Sequence, residues 1–300
     1  MSSLVDNIKK VKDAFAAIKT ALTGKGVTVP EDAKLSDVPA LVEDCGKKPL
    51  CTFEITNSDG TKIVETTSEG VVRLRCRFKS ATSFRSISVV LNRNSSVVFD
   101  AHASHMFYDC SKLTSITLPS VFGASITDAD GMFCDCSKLT SITLPSGFGA
   151  SITDAMYMFN CGSLTSLTLP SGFGASITKP YSMFGSSLTS LTLPSGFGAS
   201  ITSGYGMFVS CRKLTQILAP EGVTLADDGS NGILRMRTSF DLSPTALDKD
   251  SLIRVIKSLQ TVTSATLTLG TALKAKLEGD DNADGAAALA LAASKGWTIA

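Results

Sequence analysis

Apolar residues return along the middle of this chain in one order, and the order repeats. From Met106, Met132, Met158 and Met183 the chain reads MFYDCSKLTSITLPSVFGASIT, MFCDCSKLTSITLPSGFGASIT, MFNCGSLTSLTLPSGFGASIT and MFGSSLTSLTLPSGFGASIT, and a degenerate fifth copy opens at Met207. The Met-to-Met steps are 26, 26, 25 and 24 residues, a period of stacked coils rather than of one globular core. Each copy carries three apolar beats, for example Met106-Phe107, then Leu113, Ile116 and Leu118, then Phe122 and Ile126. The middle beat predicts a short strand with its apolar side chains inward and Thr114 and Thr117 outward. No unit buries three such sides alone, so stability is expected from the stacking of neighbours. Leu113, Leu139, Leu164 and Leu188 each precede the next Met by 19 residues, whereas the Met-to-Leu gaps are 7, 7, 6, 5 and 7. Stacked strands need a constant spacing. The Met-to-Leu segment is therefore expected as a short helix or turn on the outer side, where insertions are tolerated.

The flanks follow other periods. Leu4, Ile8, Val11, Phe15, Ile18 and Leu22 are spaced 4, 3, 4, 3, 4, the alternation of a coiled-coil seam. The same stripe also suits an amphipathic helix lying on its own domain. Ser2 and Ser3 are positioned to cap this helix, and Gly24 and Gly26 to stop it. Cys51, Phe53 and Ile55 alternate with polar residues, Asp59-Gly60 marks a hairpin turn, and Val72, Leu74, Cys76 and Phe78 alternate on the expected return strand. The opposite face of that return, Arg73, Arg75, Arg77 and Lys79, is a basic stripe that reads as an anion-binding row or as edge protection. From Leu242 the pattern becomes helix, strand, helix, strand, with a helix starting at Ser243-Pro244, a strand over 265–269, helices over 272–277 and 283–293, and a closing Trp297-Thr298-Ile299.

The expected units are thus 1–46, a helix and attachment or oligomerisation module; 47–100, a small β cap; 101–225, about five repeats; and 226–300, an α/β cap. Net charge is +1 with 18% charged residues, which gives no electrostatic footprint for nucleic acid. No apolar run is long enough to span a bilayer, and Asp6, Lys9, Lys10, Lys12 and Asp13 interrupt any leader-like start. Four of the eight cysteines, Cys110, Cys136, Cys161 and Cys211, recur three or four residues after a repeat Met. No CxxC pair exists, so buried reduced thiols are expected in preference to a metal site or disulfide framework. The two histidines, His102 and His105, are half a metal site at best. No nucleophile motif or phosphate loop is present, and no carboxylate pair recurs in the variable loops; the expectation is a protein without catalysis, cofactor or metal.

The run MFxxCxxLTSITLP with its trailing SIT resembles the bacterial surface leucine-rich repeats called BspA-like, over about residues 84–225. The resemblance implies an α/β repeat fold, a leucine-rich-repeat-type parallel β solenoid, and an adhesive or recognition role at a cell or virion surface. The chain departs from it at the Met183 copy, where Gly185-Ser186-Ser187 replaces the Cys, and in its low charge, five basic and five acidic residues from 106 to 218. GKGVTVPEDAKLSDVPALVEDC, after the first helix, resembles a module near the start of phage tail-fibre proteins, which implies attachment to other tail or baseplate proteins. The ending LTLG…KL…AxxKGWTIA resembles terminal segments that follow such repeats in phage and bacterial surface proteins.

All four tyrosines, Tyr108, Tyr157, Tyr181 and Tyr205, lie within two residues of a repeat Met, in turns where otherwise matching copies differ. Variable turns on a fixed scaffold are where recognition is placed, and Tyr offers a rigid amphipathic face for a sugar ring. The threonine row at Thr114, Thr140, Thr165 and Thr189 reads either as an ordered-water surface or as β-branched residues on an exposed strand. The expected function is a phage tail fibre or receptor-binding protein, a homo-oligomer and by preference a trimer held by the helix seam. It would be made in the host cytoplasm, reside in the virion and bind a host-surface glycan or protein receptor. The alternative is a bacterial cell-surface adhesin.

Overall fold

The structure, a computed structural model, describes residues 4–24, 51–67, 71–72, 77–91, 98–118, 122–225, 232–278 and 282–300. The module-like segment 25–46, Ser2, Ser3, Arg73, Leu74, Arg75 and Cys76 lie outside them. Helix α1 spans Leu4–Gly24 and carries the apolar stripe; Phe15 and Ile18 are half-buried and Leu22 is buried.

Strands β1 (Cys51–Asn57) and β2 (Lys62–Thr67) form an antiparallel hairpin. Its turn is held by the Asp59 carboxylate, which accepts the Thr61 N–H at 2.9 Å, and by Gly60 at φ 87°. The return strand expected at 72–78 is not the one formed, because the residues directly after the turn already complete the ladder. Val71–Val72 (β3) instead pairs in parallel with Val98–Phe99 (β5). Phe78 enters a solenoid turn, and the Arg77 guanidinium lies 4.6 Å from the Phe53 ring centroid rather than on an exposed basic stripe. The second edge of β1 pairs antiparallel with β4 (Phe84–Leu91), which pairs in parallel with β6 (Ser115–Thr117) and then β7 (Ser141–Thr143). The hairpin is thereby fused to the first coils.

Strands β8 (Ser166–Thr168), β9 (Ser190–Thr192) and β10 (Gln216–Leu218) continue the parallel stack. Strands β7 and β8 belong to separate sheets, and Ile142 is half-buried where Ile116 and Leu167 are buried. That break falls at the copy beginning with Met158, the first to lose a residue. Each strand is three residues long with its middle side chain inward.

The coils are held together from inside by two phenylalanine stacks. Phe78, Phe107, Phe133, Phe159, Phe184 and Phe208 follow one another at centroid spacings of 5.5 to 6.5 Å and within 18° of parallel. Phe122, Phe148, Phe173 and Phe197 form the second stack, at 6.1 to 6.5 Å. Met106, Phe107 and Cys110 are fully buried. The Met-to-Leu segment is thus a wall of the core and not the outer side; its length varies through single turn residues such as Asp109 and Asp135, both at positive φ. Each recurrent thiol donates to a phenylalanine carbonyl of the preceding coil, Cys136 to Phe107 at 3.0 Å and Cys161 to Phe133 at 3.1 Å. The fourth copy lacks the Cys because the coils touch there: a Cβ on Gly185 would lie 2.4 Å from the Cys161 carbonyl oxygen.

Hydroxyls stitch the outside. Thr140 donates to the Thr114 carbonyl at 3.2 Å, Thr189 to Thr165 at 3.0 Å, Thr153 to Thr127 at 3.1 Å and Ser151 to Ala124 at 3.1 Å. The Thr114–Thr189 row therefore spends hydroxyls on backbone and is not a free water-ordering surface.

Beyond Leu225 the coils enlarge and continue. Strands β11 (Phe240–Asp241), β12 (Ala265–Thr268) and β13 (Trp297–Ile299) are parallel and in register, with α2 (Lys249–Ser258), α3 (Gly270–Lys274) and α4 (Ala283–Ser294) on their returns. The first of these helices starts later than Ser243-Pro244 suggests, because Asp248 supplies its N-cap, accepting the Ser251 N–H at 2.8 Å. Ser251 also accepts the Ile217 N–H at 3.0 Å, which satisfies the last rung of the stack. Trp297 is buried and its indole N–H donates to the Gln260 carbonyl at 2.8 Å.

Candidate recognition face

A second ribbon of parallel backbone runs along the edge where the copies differ. His102 bridges to Asp128, Asp128 to Asp154, Asp154 to Lys179, and Gly204 to Phe240; β11, β12 and β13 extend the same row. Ala103, Ala129, Ala155, Gly204, Phe240 and Leu267 form its buried column. The residues on either side of that column point outward, since neighbours along extended backbone alternate. One outward column reads His102, Asp128, Asp154, Lys179, Ser203 and Ser239. The other reads Asp130, Met156, Tyr181, Tyr205, Asp241 and Thr268, with Ser104, at its start, buried. A turn follows in each repeat, and its residue before the Met takes a left-handed conformation at His105, Gly131, Tyr157, Ser182 and Gly206.

The structure brings three of the four tyrosines together. Tyr157 meets Tyr181 edge to face at a centroid distance of 5.6 Å, and Tyr181 stacks on Tyr205 at 6.3 Å and 26°. Tyr157 is exposed, Tyr181 between the other two rings is half-buried, and Tyr205 is 75% exposed. Tyr157 keeps φ at 53°, a conformation that costs a bulky residue about 1–2 kcal/mol and that Gly131 and Gly206 take freely at the same position. Strain of this kind, held by a rigid frame, is a recurrent mark of functional positions. Tyr108 stands apart, against His105 at 5.3 Å and under the Lys79 ammonium at 5.1 Å. A hydrogen bond from its hydroxyl to Asp135 pushes its pKa up.

The opening half of the face is acidic. Burial raises the pKa of Asp130, with the Asp154 and Asp128 carboxylates adding to it. Lys179 reaches back to Asp154 at 2.8 Å, and His102 lies 3.5 Å from Asp128. Burial pushes the Cys134 and Cys211 thiols up to about 12, and burial raises Cys161 as well. Cys110, Cys134, Cys136, Cys161 and Cys211 are buried and free.

The family model described as "BspA type Leucine rich repeat region" matches residues 100–230 in six copies. Over that stretch, less than half of its length, the chain is similar to BspA-type leucine-rich repeats. The parallel solenoid built from Met-Phe stacks and Leu-x-x-Ile-x-Leu strands is the form that these repeats take in this chain. No curated protein and no solved structure matches the chain. The match points to a surface, adhesion-like repeat protein. Sequence reading missed Asp241 and Thr268 as members of the edge, because the repeat pattern fades after Leu225 and the register resumes only at Phe240. The one signal was the apolar-polar step Phe240-Asp241, too short to align without coordinates.

Proposed function

We propose that this chain is a phage tail fibre or receptor-binding protein that recognises a host-surface ligand, a glycan in preference to a protein, without catalysis. One observation carries the reading: Tyr157, Tyr181 and Tyr205 form a contiguous row of ring contacts, exposed at both ends, on an edge where otherwise repeated coils diverge. Aromatic side chains of this kind supply large, rigid contact area at low entropic cost. The stripe of α1 supports a homotrimer, with copies of Leu4, Ile8, Val11, Phe15, Ile18 and Leu22 meeting along a 3.5-residue seam. The segment after it would dock on other tail or baseplate proteins. In this reading the protein is made in the host cytoplasm and ends in the virion.

The repeat class also favours a second reading, an adhesin on a bacterial cell surface. Mass spectrometry of gradient-purified virions, set against the envelope fraction of the producing cells, separates the two. The tail-fibre reading predicts the chain in virions at tail stoichiometry. Its presence in envelopes and absence from virions would establish the adhesin instead.

A further inference from the structure

The tyrosine row does not end at Tyr205. The parallel bridge between Gly204 and Phe240 sets Asp241 beside Tyr205 in the next coil, and the pairing of Asp241 with Thr268 adds one rung more. The bridge is close: a Cβ on Gly204 would lie 2.6 Å from the Phe240 Cβ. Asp241 accepts the Ser243 N–H with Oδ1 at 2.7 Å, which fixes the carboxylate and leaves Oδ2 to a ligand. Ser203, exposed in the neighbouring column, and half-buried Thr268 border the same patch. An aromatic platform is thus followed, along one column, by an anchored carboxylate and a hydroxyl.

We infer that this end of the face, Tyr205–Asp241–Thr268, is a saccharide subsite. One face of a pyranose lies on the Tyr205 ring, whose other face is covered by Tyr181. Two of the sugar's neighbouring hydroxyls donate to Asp241, and Thr268 and Ser203 complete the shell. A sugar suits these groups because it offers an apolar C–H face and hydroxyls that both donate and accept. A simple cation is less well suited to it, because a lone carboxylate beside two hydroxyls offers few charged ligands. The inference rests on the reading of this edge as the recognition surface and names its ligand class and a specificity residue, Asp241.

The test uses the full chain. An array of bacterial surface polysaccharides selects the sugar, and the corresponding methyl glycopyranoside is titrated by saturation-transfer NMR against Tyr205→Ala, Asp241→Asn and Thr268→Val. Asp241→Asn keeps the acceptor for the Ser243 N–H, so the fold is preserved. The subsite predicts about tenfold weaker binding for Tyr205→Ala and for Asp241→Asn, in the range of a lost hydrogen bond to a charged group. The Asp241→Asn effect should vanish with the deoxy sugar that lacks the contacted hydroxyl. Sugar binding that ignores both substitutions overturns the subsite, as does tighter binding of tetramethylammonium than of any sugar. Absence of sugar binding overturns it too. If adsorption to host cells still falls when Tyr157, Tyr181 and Tyr205 are replaced together, the edge remains the recognition surface with a protein receptor. If adsorption is unchanged, the reading of the edge fails along with the subsite.

Discussion

Phe173 fills the space that a side chain on Gly149 would need: a Cβ there would lie 2.1 Å from the ring. The same relation joins Gly123 to Phe148 and Gly174 to Phe197. The glycine in each of these three repeats is therefore a socket for the aromatic ring of the following coil, and it also takes a positive φ, 80° at Gly149; the equivalent Gly198 faces Met236 instead. Backbone and stack are specified by one residue type at one place.

Two glycines separate these effects. Gly149→Ala combines left-handed strain with overpacking and should cost about 3 kcal/mol. Gly147→Ala has φ 79° and open space around its Cβ, so it should cost only the strain, about 1 kcal/mol. Urea unfolding of both variants checks this. Equal losses would mean that the socket contributes nothing.

The buried thiols predict a pH dependence on the alkaline side. Unfolded cysteine ionises near about 8.5, whereas Cys211 in the folded chain is held up to about 12 by burial. Below the first value both states are protonated and pH is without effect. Above it the unfolded state releases its proton first, so stability falls as pH rises towards the second value. The slope from this thiol is at most about 1.4 kcal/mol per pH unit. Denaturant midpoints from pH 8 to 10.5 should fall less steeply in Cys211→Ala than in the parent. Thiol titration should find eight reactive groups after denaturation, and bound zinc at stoichiometric level would contradict the assignment of these cysteines to packing.

Removal of residues 1–26 tests the helix seam. Multi-angle light scattering should give a trimer for the full chain and a monomer for the truncated one, with the solenoid's circular dichroism retained. A full-length monomer at micromolar concentration removes the trimer from the proposal.

The repeats made most of the fold legible in advance, because stacking forces the same side chain inward at the same step of every copy: Ile116, Leu167 and Leu191 are all buried. What the letters conceal is register. The Met-to-Leu segment reads as a tolerant outer turn from its variable length, yet Phe107 and Cys110 are wholly buried, since a turn can drop Asp109 without moving the ring beside it. The hairpin return is hidden for a related reason: alternation at 72–78 competes as a partner with 62–67, and only the ladder of β1 with β2 and β4 decides. At the candidate site, the clustering of Tyr157, Tyr181 and Tyr205 near repeat methionines was visible. The separation of Tyr108, two residues after its Met rather than before it, and the arrival of Asp241 beside Tyr205 depend on the coil geometry.

Adsorption tests the central claim most directly. Tyr157, Tyr181 and Tyr205 are replaced together by Ala, and binding of the labelled full-length chain to host cells is measured beside the parent. Their ring contacts are worth about 2 kcal/mol in sum, so the variant should remain folded at the assay temperature, as thermal unfolding will record. The account predicts adsorption reduced at least about tenfold with folding retained. A folded triple variant that adsorbs like the parent would contradict it.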